Sequence, residues 1–412
     1  MSGGPFHLFQ VAGLEIEYMI VDAATLRVLP RADLVLRDAS GAVVSDMEHP
    51  DISWSNELVS HVIELKTSGP TSRLAGTAGA FQDHVRRINA LLAPHRARLL
   101  PTGAHPFMDP GRETVLWPHE YGPVYAAFDR IFGCRGHGWS NLQSMHVNLP
   151  FHGDEEFGRL HAAIRLLLPI MPALAASTPV LDGRITGCLD SRMSFYGKNS
   201  ARVPSVAGRI VPEPVFDEAT YRRDILGPMY RDMAPLDPEG VLRDEFLNAR
   251  GAIARFDRGA IEIRVLDTQE CPAADVAVAG LVRAALMALA EGRLGDMERF
   301  RAMDTARLAS ILASVIRDAD AARIEDADYL AALGISGRPR PAGEIWKELC
   351  ERCLPLPDHD PAWDAPLASI LERGCLSRRI LAALGGDVSR DRLMSVYRRL
   401  AACLEAGEVF HE

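Results

Sequence analysis

Gly13-Leu14-Glu15-Ile16-Glu17 is the stretch whose reading decides the fold. It lies in a run, Phe9–Val21, that is largely apolar apart from its two glutamates and ends at Asp22. Such a run reads as a β-strand entering a turn. On a strand, residues two apart project from one face, so Glu15 and Glu17 stand side by side while Leu14 and Ile16 share the other face. Two like charges at that spacing repel, and burying them is costly without a cation. A hard divalent cation, which prefers oxygen ligands, resolves the conflict. The competing reading is an exposed edge strand with two solvated glutamates, and spacing alone leaves both open.

Three other segments repeat the pattern. Ala260-Ile261-Glu262-Ile263-Arg264 opens a strand over Ala260–Thr268 and puts Glu262 and Arg264 on one face. A metal carboxylate beside a phosphate-binding guanidinium is one use of that pair, and a plain cross-sheet salt bridge is the other. Met145-His146-Val147-Asn148-Leu149, inside a strand over Gln143–Phe151, places His146 and Asn148 together. A lone histidine there would ordinarily be structural. Val59–Lys66 reads as a further strand carrying Glu64 and stopped by Ser68-Gly69-Pro70. Glu57 precedes Glu64 by an odd offset, so the two share a face only if the chain turns or bulges between them. Together, Glu15, Glu17, Glu64, His146 and Glu262 interrupt apolar patterns in four separate strand segments, as expected of a sheet lining a multi-metal pocket.

The remaining pattern places a short strand at Ala42–Val44, a helix over Leu74–Leu99, a strand over Leu99–Gly103, a helix over Tyr121–Cys134 and a long helix over Asp154–Ser177. Residues 197–250 show no sustained period, and from Ala273 onward the pattern is almost wholly helical. Strands and helices alternate too irregularly for a βαβ winding. The expected class is therefore α+β, with a mainly antiparallel sheet and helices packed outside it. There is no Gly-x-Gly-x-x-Gly and no Gly-x-x-x-x-Gly-Lys-Ser/Thr.

The 412 residues are 48% hydrophobic and 24% charged, an ordinary globular composition. The net charge of −10 argues against a nucleic-acid partner. The apolar runs Leu166–Ala176 and Ala284–Ala290 fall short of a membrane span, and Met1–Gln10 lacks the pattern of a secretory leader. Seven scattered cysteines fit reduced thiols in a cytoplasm. Cys350–Cys353 and Cys134–His137 have metal-like local spacing without a second pair, and the former reads as two cysteines near one helix face.

In order along the chain, these segments resemble the glutamate–cysteine ligase family, including bacterial carboxylate–amine ligases, which share a glutamine-synthetase-like catalytic fold. Gly13–Glu17 resembles the family's opening metal strand, Glu57 and Glu64 its second acidic pair, and Gln143–Asn148 its histidine strand. Leu174–Pro179, Thr186-Gly187 and Ser191-Arg192-Met193-Ser194 are similar to a segment whose arginine contacts substrate or phosphate. Ala260–Asp267 resembles the strand bearing a metal glutamate and a phosphate-binding arginine, and Arg130 is similar in place to a further arginine.

The resemblance implies an ATP- and Mg²⁺-dependent ligase over residues 1–300, with a helical region over 301–412 packed on it. It implies metal ligands Glu15, Glu17, Glu57, Glu64, His146 and Glu262. Arg264 and Arg192 would be catalytic, and Arg264, Arg192 and Asn148 would hold the nucleotide and substrates. The substrates implied are small amino acids, glutamate and cysteine first. The same ligase chemistry on another amine or a carrier-bound substrate stays open, as do a non-catalytic ATP-binding role and a homo-oligomer.

Overall fold

The strand begun at Gly13 organises the molecule, which a computed structural model describes over residues 4–412. Strand β1 (Gly13–Asp22) runs antiparallel to β4 (Val62–Thr67) on one side. On its other side it pairs with β6 (Ser144–Pro150) through its first half and β5 (Ala97–Leu100) through its second. Beyond β4 lie β3 (Ile52–Asn56) and the short β2 (Asp46–Met47). A two-residue hairpin, β7 (Val180–Leu181) and β8 (Arg184–Ile185), stands apart. Beyond β6 come β10 (Ala260–Asp267) and β9 (Ala252–Arg255), giving an open antiparallel sheet in the order β2-β3-β4-β1-β6-β10-β9.

The period-2 pattern sorts this sheet into two faces. Leu14, Ile16, Ile63, Leu65, Met145, Val147, Ile261 and Ile263 point one way and are buried in a single apolar core. Residues of the helices Thr77–Leu92, Gly153–Leu167 and Pro272–Ala290 join the same core. The opposite face carries the polar residues. Between Ile263 and Leu266 the register with β6 shifts by one residue. Such a bulge turns the strand over locally, so Asp267 pairs with Ser144 and joins the polar face that Glu262 occupies upstream.

Helix Pro272–Ala290 is long and apolar enough to cross a membrane by length and composition, but 89% of its apolar window is buried. It is the central core helix. The apolar run expected there is shorter because Asp275 and Arg283 interrupt it. The helices after residue 300 pack onto it: a Cβ at Gly280 would lie 2.7 Å from the Trp363 ring, so this contact requires glycine. Trp346 donates through its indole to the Ile170 carbonyl (2.7 Å), and Gln82 reaches the Leu404 carbonyl (2.8 Å).

Several expected elements differ. Val43 makes only an isolated bridge to Arg37, and the strand of that region is Asp46–Met47. The expected helix over Leu74–Leu99 ends at Leu92, where Pro94 enters a 3₁₀ turn and Arg96 turns left-handed before β5. The expected helix over Asp154–Ser177 ends at Leu167, and Pro169 and Pro172 divide its remainder into short turns. Within residues 197–250, expected to be irregular, Glu218–Tyr221, Arg222–Leu226 and Gly227–Met233 follow one another without a break as one helical stretch whose middle is a π turn.

Candidate active site

The register alone assembles the site. Glu17 is paired with Glu64, Glu15 with Lys66 on one side and His146 on the other, and Glu262 with Asn148. Directly opposed residues share a face, so a row of carboxylates, one imidazole and one amide crosses four adjacent strands. Between β3 and β4 the chain turns, which is what lets Glu57 and Glu64 approach the same cleft despite their odd spacing. The cleft has a volume of about 580 Å³ and is lined by Glu15, Glu57, Glu64, His146, Asn148, Glu262 and Arg264 among others.

His146 sits between two groups of carboxylates. Its Nδ1 lies 3.1 Å from Glu15 Oε2 and 3.7 Å from Glu262 Oε1, and its Nε2 lies 3.9 Å from Glu17 Oε1 and 2.9 Å from Ser144 Oγ. The ligand atoms of Glu15, His146 and Glu262 fall within 4.8 Å of one another, as do those of Glu17, Glu64 and His146. Asn148 donates to Glu15 (3.0 Å), the Ser144 amide to Glu17 (2.8 Å), and Ser55 Oγ to Glu64 (2.7 Å). Each carboxylate is thereby oriented from behind, in the way outer partners hold metal ligands.

The electrostatics show how crowded this face is. Burial pushes Glu64 up to about 7, with Glu15 and Glu17 adding to the effect against Lys66 and Ser55. Burial and the charges of Glu17 and Glu64 hold Glu57 well above the usual carboxylate range, and burial raises Glu17 too. Glu15 goes the other way: burial opposes its ionisation, but the His146 hydrogen bond and charge, with Arg264 and Lys66, bring it to about 2. His146 is raised, because Glu15, Glu262 and Glu17 outweigh its burial. The donor set, carboxylate oxygens and one imidazole without a thiolate, fits a hard divalent cation such as Mg²⁺.

Arg264 stands at the bulge with Nε 2.9 Å from Glu262 Oε1. Glu57 lines the cleft outside the two close ligand groups, its own side chain accepting from the Leu58 amide (3.2 Å). Arg192 does not join them. It is 1% exposed and pairs with Asp267, and its Nη2 donates to the Arg264 carbonyl (3.2 Å). Asp267 also accepts from the Ser177 amide (2.8 Å) and Thr178 Oγ1 (3.0 Å). The bulge brings Asp267 round to engage the Arg192 guanidinium, which braces the backbone at Arg264 and is not among the residues lining the cleft. Arg130 donates to the Leu236 carbonyl (3.0 Å) and is not among the residues lining the cleft.

Among the cleft residues not singled out from sequence are Lys66, Tyr125, Phe246, Arg255 and Arg258. Lys66 follows Glu64 by two residues on the same strand, so the alternation already marks it. Tyr125 comes from the helix Gly122–Phe132, and its hydroxyl accepts from Asn56 (3.0 Å). Phe246 comes from the stretch without periodicity, and Arg255 ends a four-residue strand just after it, too short for a period to show. The seven cysteines are all free, and none belongs to either ligand group.

The model of glutamate–cysteine ligase family 2 matches residues 11–399. An uncharacterised protein of Archaeoglobus fulgidus is 30% identical over 399 residues, covering 97% of this chain and 99% of its own length. A Salinispora arenicola protein provisionally named glutamate–cysteine ligase 2 is 30% identical over 310 residues, 70% of this chain and 69% of its own. Among solved structures, the glutamate–cysteine ligase of Francisella tularensis in complex with AMP matches with a TM-score of 0.61 at 13% identity, covering 98% of this chain and 90% of that one. A bifunctional glutathione synthetase of Pasteurella multocida matches with a TM-score of 0.56 at 15% identity, over 97% of this chain and 52% of that one. These structural likenesses are likenesses of fold.

Proposed function

Because the chain belongs to glutamate–cysteine ligase family 2, we propose that it is a carboxylate–amine ligase that uses ATP and Mg²⁺, with glutamate and cysteine as the first substrate pair. The observation carrying this reading is the convergence of Glu15, Glu17, Glu64, His146 and Glu262 on one face of four adjacent strands. A cluster of buried like charges is costly without a purpose. The AMP bound by the Francisella tularensis neighbour supports a nucleotide as one occupant.

A carboxylate does not acylate an amine in water without activation. In the proposed reaction the γ-phosphoryl group of ATP passes to a carboxylate oxygen of the donor substrate and ADP leaves. The amine then attacks the acyl carbon, loses a proton and expels phosphate, leaving an amide. Such transfer needs positioning and charge stabilisation more than covalent chemistry by the protein.

Glu15, Glu262 and His146 on one side, and Glu17, Glu64 and His146 on the other, would hold Mg²⁺, with Glu57 beside them. Bound there, Mg²⁺ would neutralise phosphate charge and polarise the group being transferred. Arg264, fixed by the bulge and by Arg192 behind it, presents its guanidinium to the transferring phosphoryl group. Asn148 keeps Glu15 oriented.

The test is to incubate the chain with ATP, Mg²⁺ and glutamate, add amines one at a time, and measure phosphate release. Release on adding cysteine supports the pair named above. Release with another amine, free or carrier-bound, keeps the chemistry and changes the acceptor. No release with any amine is the result expected of a non-catalytic nucleotide-binding protein and would sink the reading.

A further inference from the structure

Arg255 is a cleft residue whose bonding, like that of Arg264, is incomplete. It ends β9, and its side chain is only 11% exposed. Its Nε is screened from solvent without a hydrogen-bond acceptor. Three carboxylates surround the guanidinium at ion-pair range: Asp257 Oδ1 at 3.5 Å, Glu262 Oε2 at 3.8 Å and Glu245 Oε2 at 3.9 Å. None of them forms a directed hydrogen bond with it. A guanidinium has five donors in a fixed fork, and a buried donor left without an acceptor is expensive.

The surroundings indicate what would use them. Arg255 is paired across the strands with Ala260, at the β9–β10 end of the cleft, and approaches the outer oxygen of Glu262. The inner oxygen of Glu262 faces His146 and Arg264. Arg255 and Arg264 therefore flank one proposed metal ligand from two sides. Lys66 stands across the sheet, paired with Glu15. Glu245 holds Arg255 from behind, is itself held by Arg222 Nη2 (3.3 Å), and precedes the cleft residue Phe246. Cations spread on either side of a carboxylate row suit an extended polyanion lying over that row better than a single carboxylate.

We infer that Arg255 is a positioning residue that grips the phosphate tail of the nucleotide, its fork closing on phosphate oxygens beside Glu262. This rests on the proposal that the cleft binds ATP. The shared chemistry is an oxyanion, which the amino-acid substrate could also supply through a carboxylate, and the test separates the two sources.

The experiment is a calorimetric titration of the full chain, with Mg²⁺ present, using a non-hydrolysable ATP analogue and separately AMP, for the unsubstituted protein, Arg255→Gln and Arg255→Lys. Arg255→Gln is expected to weaken the triphosphate analogue by about tenfold or more while changing AMP binding by less than about threefold, because a charge-assisted bond to the tail is lost. Arg255→Lys should recover part of the loss, since it restores the charge without the fork. A structural role would lower both affinities together and shift the melting temperature, and that pattern would overturn the inference. So would unchanged binding of the analogue, or a change confined to the KM for the amino-acid substrate. If the unsubstituted chain binds neither nucleotide, the ATP reading of the cleft has failed, and the role of Arg255 falls with it.

Discussion

Glu17 and Glu64 lie directly opposite each other in the β1–β4 pair, and both are buried. Like charges so placed are destabilising in a sheet, and burial lifts both carboxyls toward their protonated forms. The face that lines the candidate site is thus held together at a cost to stability, as sites built for function often are.

Relieving that repulsion should therefore stabilise the fold. Without metal, Glu64→Gln should gain about 1 kcal/mol at pH 8, the upper range for a cross-strand like-charge pair. Ser55 can still donate to the amide oxygen. Thermal unfolding in the presence of a chelator measures this, and a lower melting temperature for Glu64→Gln would contradict it.

Stability should also depend on pH. Glu64 sits at about 7 in the fold, against an ordinary glutamate value near 4.5. A carboxyl raised on folding binds more protons in the folded state. Its contribution is therefore fully present below about 4.5 and lost as pH rises through about 7. Metal binding must displace such protons, because a ligating carboxyl or imidazole has to be deprotonated. The gain in melting temperature on adding Mg²⁺ should accordingly grow from pH 5.5 to pH 8. A gain that is flat or shrinks over that range would refute the assignment of Glu64 and His146.

For turnover, Glu15→Ala and Glu262→Ala should each abolish ATP-dependent ligation, a loss on the order of 10²–10³-fold or more, while the fold stays largely intact. Far-UV circular dichroism and phosphate release would be read together. Normal turnover at saturating Mg²⁺ in either variant would remove that residue from the site.

Arg192→Met should behave differently, because Arg192 is 1% exposed and committed to Asp267. Removing one partner of a buried pair leaves the other charge uncompensated, at about 3–5 kcal/mol. The expected result is a large fall in stability by denaturant unfolding. A stable Arg192→Met protein with a specific loss of substrate affinity would restore the substrate contact suggested by sequence.

The sequence made the strand faces legible because alternation is a local property. Glu15 beside Glu17, His146 beside Asn148 and Glu262 beside Arg264 could each be placed without knowing their neighbours. The order of strands could not, since pairing β1 with both β4 and β6 depends on contacts far apart in the chain. The pairing of Arg192 with Asp267 was hidden by a single inserted residue in β10, which turned Asp267 toward it. Arg255 was hidden for a different reason. It stands on a four-residue strand after a long irregular excursion, too short for any period to show. The broken helices were partly visible, because Pro94, Pro169 and Pro172 mark where they end.

A carboxylate row that holds divalent cations is the central claim, and Mn²⁺ in place of Mg²⁺ makes it directly observable. Equilibrium titration monitored by the electron paramagnetic resonance of free Mn²⁺ should show more than one ion bound per chain in the presence of a non-hydrolysable ATP analogue, with occupancy sharply reduced in Glu15→Gln and Glu262→Gln. Free Mn²⁺ that is undiminished by the unsubstituted chain, or binding that both variants retain in full, would contradict it.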